Sequence, residues 1–191
     1  MTTSRKIHSI SNDIESMLPY RVSQKRYGHI QRVVRLIEEI AARFGIDGDR
    51  ARLIGLAHDM ERGLPSWKSY ALLSDWALEV TPLERRNPVL LHGPIASARL
   101  QRQYGVTEPA VIRAVRHHTL GSPEIDTLGL ALYVADSCEP GRARPDARQR
   151  KTILSLPTLE AMVIAIIELN GIHYGPLEEP TRQLYARLKG A

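Results

Sequence analysis

Seven histidines are spread over 191 residues, and five of them (His29, His58, His92, His117 and His118) sit in or beside stretches with helical hydrophobic spacing. Residues three, four and seven apart stack along one helical face. His29 therefore shares a face with Val33, Leu36 and Ile40, His58 with Ile54 and Ala51, and His118 with Val115, Ala114 and Val111. Asp136 falls above Leu132 and Tyr133 in the same way. A lone inward imidazole is ordinarily satisfied by a backbone carbonyl. Two inward carboxylates, Asp59 and Asp136, are another matter, because a buried charge is costly without a cationic partner. Set beside four inward imidazoles, they point to a bound cation. The single cysteine, Cys138, allows neither an intramolecular disulfide nor a thiolate cluster. Nitrogen and oxygen donors alone suit iron, manganese, zinc, cobalt and related ions.

These groups need helices to hold them, and helical periodicity with intervening breakers runs through the chain. Ile30, Val33, Val34, Ile37, Ala41 and Phe44 form one stripe that Gly45 ends, with Asp47 or Asp49 placed to cap a following helix that reaches about Arg62. Gly63 and Pro65 break the pattern before a short segment from Ser66 to about Leu78. Asn87 and Pro88 read as an N-cap and first helical position for a helix to Tyr104, closed by Gly105. Thr107 opens another that ends near His118. Leu128 to Asp136 is an apolar run, Arg142 to Lys151 a basic connection entering a helix, and Pro157 to Asn170 a long helical pattern. The expected fold is all-α, a single helical bundle around a metal site, with residues 1–20 as an N-terminal helical extension and 21–188 as the main domain.

Length and composition agree with one buried core. The chain is 21.4 kDa with 43% hydrophobic and 25% charged residues, which excludes disordered and low-complexity classes. Its net charge of +5 is unevenly placed. The windows Arg21 to Arg35 and Arg142 to Lys151 hold +9 between them and the remainder −4. Two compact clusters fit a small phosphate-bearing ligand or solvated helix faces better than a nucleic-acid stripe. No apolar run approaches the roughly 20 residues needed to span a bilayer, so neither a membrane nor a nucleic-acid partner is expected, and the expected location is the cytoplasm. No GxxxxGK phosphate loop or GxSxG elbow is present.

The order His29, His58-Asp59, His92, His118, Asp136 resembles the metal-dependent HD-domain phosphohydrolases. The words KRYGHIQRV, GLAHDM, VLLHGPIASARL, HHTLG and LYVADSCEPGR resemble, within that family, the bacterial symmetrical diadenosine tetraphosphate hydrolases, over roughly Arg21 to Leu188. The resemblance implies cleavage of a small dinucleoside polyphosphate into two ADP at an iron-containing centre of one or two ions, with manganese or another divalent transition metal as substitutes. His29, His58, Asp59 and Asp136 would form the core metal set, with His58 and Asp59 the catalytic pair. His92 and His118 would complete a second metal position or touch phosphate.

Such chemistry must supply hydroxide and neutralise phosphate oxygens. Arg26, one turn before His29, and Arg142, the arginine of ADSCEPGR, are candidates for the second task, because a planar guanidinium matches phosphate oxygens. Thr119 and Thr181 are further candidate substrate contacts. Arg144, Arg148, Arg150 and Lys151 read as a solvated face, Glu139 as a partner of Arg142 or the nucleoside, and His117 as a neighbour of the metal set. Two departures from the family pattern stand out: Arg62 occupies the position of the lysine in HDxxK, and Glu178-Glu179-Pro180-Thr181 lacks the histidine common before the proline. Two alternatives fit the same residues, another HD-type nucleotide phosphohydrolase and a nucleotide-sensing module without turnover.

Overall fold

In the computed structural model, residues 3–190 are described, so the first two residues of the expected N-terminal extension lie outside it. Helix α1 (Thr3–Arg21) is followed by α2 (Gln24–Phe44), α3 (Gly48–Ala57), α4 (Ser66–Asp75) and α5 (Pro82–Arg86). A 3₁₀ turn (Pro88–Leu91) leads into α6 (His92–Tyr104), and α7 (Pro109–His117), α8 (Thr127–Cys138), α9 (Ala147–Leu154), α10 (Leu159–Tyr174) and α11 (Glu179–Lys189) complete the chain. No strand occurs among the described residues. The protein is an all-α helical bundle.

Helix α3 is short and sealed. Ala51, Leu53, Ile54, Leu56 and Ala57 have essentially no exposed surface, because α1, α2, α6, α7 and α8 all pack against this helix. Helix α1 contributes Ile7, Ile10, Ile14 and Leu18 to the same core, at the three- and four-residue spacing of one helical face. Helix α8 is buried over nearly its whole length and carries α10 on its outer side. A smaller apolar cluster of Leu73, Leu91 and Ile95 attaches α4 and the 3₁₀ turn to α6.

Most expected boundaries agree with the structure. Asp47 caps α3 through its side chain, and Gly45 and Gly105 close α2 and α6 in the left-handed conformation; Ser23, which the sequence reading did not single out, caps α2. Three differ. Helix α3 stops at Ala57, not near Arg62, because the chain tightens into turns in which Met60 N–H donates to Ala57 (3.2 Å) and Arg62 N–H to Asp59 (3.0 Å). That tightening delivers the adjacent His58 and Asp59 side chains to one place. Asn87 does not cap a helix running from Pro88; its carboxamide donates to Leu83 of the short, unexpected α5, and α6 begins only at His92. The helix expected from Thr107 begins at Pro109, whose missing N–H costs nothing at the first helical position.

Candidate metal centre and cleft

Three of the four inward histidines are placed by one local device. His58 and His118 terminate α3 and α7, where carbonyls lose their helical partners, and His92 opens α6. Each ring's Nδ1–H returns to a carbonyl three residues back: His58 to Gly55 (2.7 Å), His118 to Val115 (2.8 Å) and His92 to Val89 (2.5 Å). His29 Nδ1–H instead donates to Glu139 Oε1 at 3.1 Å. A proton fixed on Nδ1 leaves the Nε2 lone pair of a neutral ring aimed at the opposite side.

All four Nε2 atoms converge around Asp59. His29 and His58 face each other at 3.3 Å between Nε2 atoms and lie 3.5 and 3.6 Å from Asp59 Oδ2, with Asp136 Oδ1 3.0 Å from His29 and 3.9 Å from His58. On the other side, His92 and His118 Nε2 are 3.0 Å apart and lie 3.1 and 3.8 Å from Asp59 Oδ1. Two compact donor groups result, His29-His58-Asp136 and Asp59-His92-His118, with the Asp59 carboxylate spanning them, one oxygen to each. All six candidate ligands named from the sequence are brought together.

The electrostatics fit a cation. Burial lowers the pKa of His58 and brings that of His118 down to about 3, so both rings are neutral and present bare lone pairs. Burial by itself would raise the pKa values of Asp59 and Asp136; the polar surroundings, His29 and Arg142 foremost for Asp136, reverse this, and both carboxylates stay ionised. The bare Nε2 lone pairs of His58 and His118 face the Nε2 atoms of His29 at 3.3 Å and His92 at 3.0 Å with the Asp59 carboxylate between, a concentration of donor atoms that a positive ion would satisfy. No thiol takes part: Cys138 is buried, and burial pushes its pKa up to about 12. A nitrogen and oxygen donor set of this kind suits a first-row transition metal.

Glycine decides how closely the two donor groups approach. A Cβ on Gly93 would lie 2.6 Å from the Arg116 carbonyl oxygen, so only glycine there lets α6 and α7 meet and bring His92 against His118. On the opposite side, Glu139 holds His29 from behind. Its carboxylate also accepts from Arg32 Nε and the Gly141 N–H, each at 2.5 Å. Glu139 thus orients a candidate ligand through its ring nitrogen, which differs from the expected contact with Arg142 or the nucleoside; only the Glu139 backbone carbonyl meets Arg142, through its N–H at 3.1 Å. Arg32 itself escaped the sequence reading, although it sits one turn beyond His29 inside the first basic window.

Arginines wall the cleft above the donors. Arg26 donates to Asp59 Oδ2 at 2.6 Å, Arg142 to Asp136 Oδ1 and to the Asp136 carbonyl (3.0 Å), and Arg62 lies 3.2 Å from His92 Nδ1. With Arg144 and Asn170 they line a cavity of about 220 Å³ floored by Asp59, His118 and Asp136. Arg144 is exposed, as expected of a solvated face, and in addition belongs to the cleft wall. Arg150 is also structural, since its Nη2 donates to the carbonyls of Arg142 (3.0 Å) and Pro145 (3.1 Å). Arg148 and Lys151 are exposed as expected.

A second cavity, of about 190 Å³, adjoins the first at Thr119. Leu90, Leu120, Pro123 and Pro180 give it apolar walls beside Arg116 and His117. Thr119 Oγ1 lies 3.2 Å from His118 Nε2 and 3.4 Å from His92 Nε2, at the junction of the two spaces. Thr181 stands apart from the donors, its hydroxyl donating to the Leu120 carbonyl at 2.8 Å. His117 faces the second cavity rather than the donor set.

One buried group had no sequence signal. Glu61, two residues after Asp59, is sealed with Arg99, whose Nε donates to it at 2.5 Å, and Arg21 lies 2.8 Å away. This pair of cations ties the turn bearing His58 and Asp59 to α6 and to the end of α1. Its partners lie 38 and 40 residues away, and no local pattern reveals such pairing.

An all-helical bundle whose helix ends gather a His-Asp dipeptide with further histidines and a distal aspartate defines the HD-domain class, and the HD domain family model matches residues 26–141. The chain belongs to the HD-domain family. It is 29% identical over 146 residues to the symmetrical bis(5'-nucleosyl)-tetraphosphatase of Bacillus subtilis strain 168, spanning 76% of this chain and 78% of that one. The Staphylococcus aureus protein of the same name is 28% identical over 125 residues, 65% of this chain and 64% of its own length. A solved structure from Clostridium acetobutylicum, described as a predicted HD superfamily hydrolase involved in NAD metabolism, superposes with a TM-score of 0.82 at 24% identity, covering 94% and 96% of the two chains. That similarity shows the shared fold.

Proposed function

We propose that the protein hydrolyses diadenosine tetraphosphate symmetrically to two ADP, with His29, His58, Asp59, His92, His118 and Asp136 holding two transition-metal ions, iron foremost, with manganese as a substitute. One observation carries the reading: the Asp59 carboxylate lies between two donor groups directly beneath a wall of arginines. The relatives' names supply the substrate class. When bound, such ions supply Lewis acidity and water ionised near neutral pH.

The chain's own residues bind and orient the substrate. Arg26 and Arg142, which in this structure neutralise Asp59 and Asp136, are within reach of phosphate oxygens entering the cleft, where each offers a planar, charged donor pair. Arg62, in place of the lysine of HDxxK, retains the charge and adds a second donor direction. The apolar cavity beside Thr119 fits one nucleoside, placing its phosphates across the Asp59 junction. Thr181 would act by fixing the Leu120 wall of that cavity. Water attacks so that two phosphates remain on each side.

Product identification tests the reading. With iron or manganese restored, diadenosine tetraphosphate yields ADP alone. Formation of AMP with ATP defeats the symmetrical assignment, and nucleotide binding without turnover over a range of metals favours the sensing module.

A further inference from the structure

Three of the arginines in the cleft wall are already committed to the donor cluster. Arg26 bonds Asp59, Arg142 bonds Asp136, and Arg62 lies against His92 and donates to the Val89 carbonyl at 3.4 Å. Arg144 differs. Among the described residues its guanidinium has no hydrogen-bonding or ionic partner, although it lines the same cavity. The half-buried carboxamide of Asn170, from α10, shares that wall and is likewise without a partner. Both residues lie beyond the stretch 26–141 that the family model matches.

The loop that presents Arg144 is built to stay in place. Arg150 ties it by the carbonyls of Arg142 and Pro145, Pro145 is buried, and Asp146 and Gln149 form a reciprocal capping box at the start of α9 immediately after it. A cation without a partner on a tied loop and an amide without a partner in the same cavity wall together offer hydrogen-bond donors to an anion. Neither group has a hydrogen bond or ion pair with any of the six candidate ligands, so both remain available to a phosphate that the donor cluster and its paired arginines do not hold.

We propose that Arg144 and Asn170 form a distal phosphate subsite that sets the preferred length of the polyphosphate chain, a specificity determinant that rests on the dinucleoside polyphosphate reading above. A chain too short to span from the Asp59 junction to this pair forgoes its contacts, whereas a tetraphosphate reaches them. Because the contact is remote from the reacting centre and persists through the reaction, its loss raises KM and leaves kcat nearly unchanged.

The test uses full-length, metal-loaded protein and methylene-bridged, non-hydrolysable diadenosine tri-, tetra- and pentaphosphates, with affinity measured by titration calorimetry. The wild type binds the tetraphosphate about tenfold more tightly than the triphosphate, the scale of one charge-assisted hydrogen bond. Arg144→Ala and Asn170→Leu reduce that ratio towards one chiefly by weakening the tetraphosphate, and Arg144→Lys restores part of it. Equal loss at every chain length, an unchanged ratio in both variants, or no length preference in the wild type overturns the proposal. Turnover of diadenosine tetraphosphate, assayed separately, reports on the reaction itself, so a failure of symmetrical hydrolysis is distinguishable from a failure of length discrimination.

Discussion

A single carboxylate, Asp59, has one oxygen 3.5 Å from His29 and the other 3.1 Å from His92, so its removal strikes both donor groups. If two ions are held as proposed, Asp59→Ala loses nearly all bound metal, whereas His118→Ala loses about half, that of the Asp59-His92-His118 group. Elemental analysis of the purified variants separates these outcomes, and full occupancy in Asp59→Ala removes the residue from the ligand set. Glu139 acts one bond farther out, through His29 Nδ1. Partners of this kind contribute about 10- to 100-fold to metal affinity, and Glu139→Gln is expected to weaken binding by that factor at unchanged stoichiometry, measured by competition with a chelator. Of the six candidate ligands, His29, His58, His118 and Asp136 are legible from residue type and spacing because each is an expensive polar group on an apolar face, whereas the spacing places neither Asp59 nor His92 on such a face and these two rest on the family resemblance. Glu139 and Arg32 are harder to see, since their partnership spans 107 residues and a charged pair near a helix end has many local explanations.

Between elements, the decisive contacts are the α6–α7 approach at Gly93 and the anchoring of the turn after α3 by Glu61. Gly93→Ala puts a methyl 2.6 Å from a backbone oxygen that cannot rotate away, so the helices must separate. Overpacking of this type costs about 1 to 3 kcal/mol, and here it also draws His92 from His118. Chemical denaturation should report the first effect and weakened occupancy of the second metal position the other; a destabilised variant with full metal content would show that α6 and α7 do not set this spacing. Glu61→Gln leaves Arg99 as an uncompensated cation in a site that is 7% exposed. Breaking a buried pair in this manner costs about 3 to 5 kcal/mol, read from the same denaturation curves, with no loss if Glu61 is dispensable. Helix positions were legible because caps and glycines punctuate them. The early end of α3 was not, because its apolar period runs on past Ala57 and only tertiary partners of Asp59 and Glu61 turn the chain.

For the molecule as a whole, the uneven charge of the sequence acquires a location. The two basic windows lie far apart along the chain, yet α2 and the loop after α8 bring Arg26, Arg142 and Arg144 to one cleft, while Arg32 and Arg150 turn to scaffolding roles behind and beside it. Composition alone could not divide the clusters in this way, since that division depends on which side of α2 each arginine leaves and on where the loop after α8 is tied. A concave site lined by one sign of charge concentrates its field and attracts a polyanion. Screening shortens that reach, with a Debye length of about 30 Å at 0.01 M salt and about 8 Å at 0.15 M. Raising ionic strength across this range should therefore increase KM for diadenosine tetraphosphate several-fold while kcat changes little, because the approach is screened more strongly than the partly buried contacts made after docking. Substituting alanine at the exposed Arg144 should flatten this salt dependence, and substituting Lys151, also exposed but outside the cleft lining, should not. Steady-state kinetics of the three proteins at a series of salt concentrations measures the difference, and equal slopes in all of them would show that the cleft does not steer its substrate.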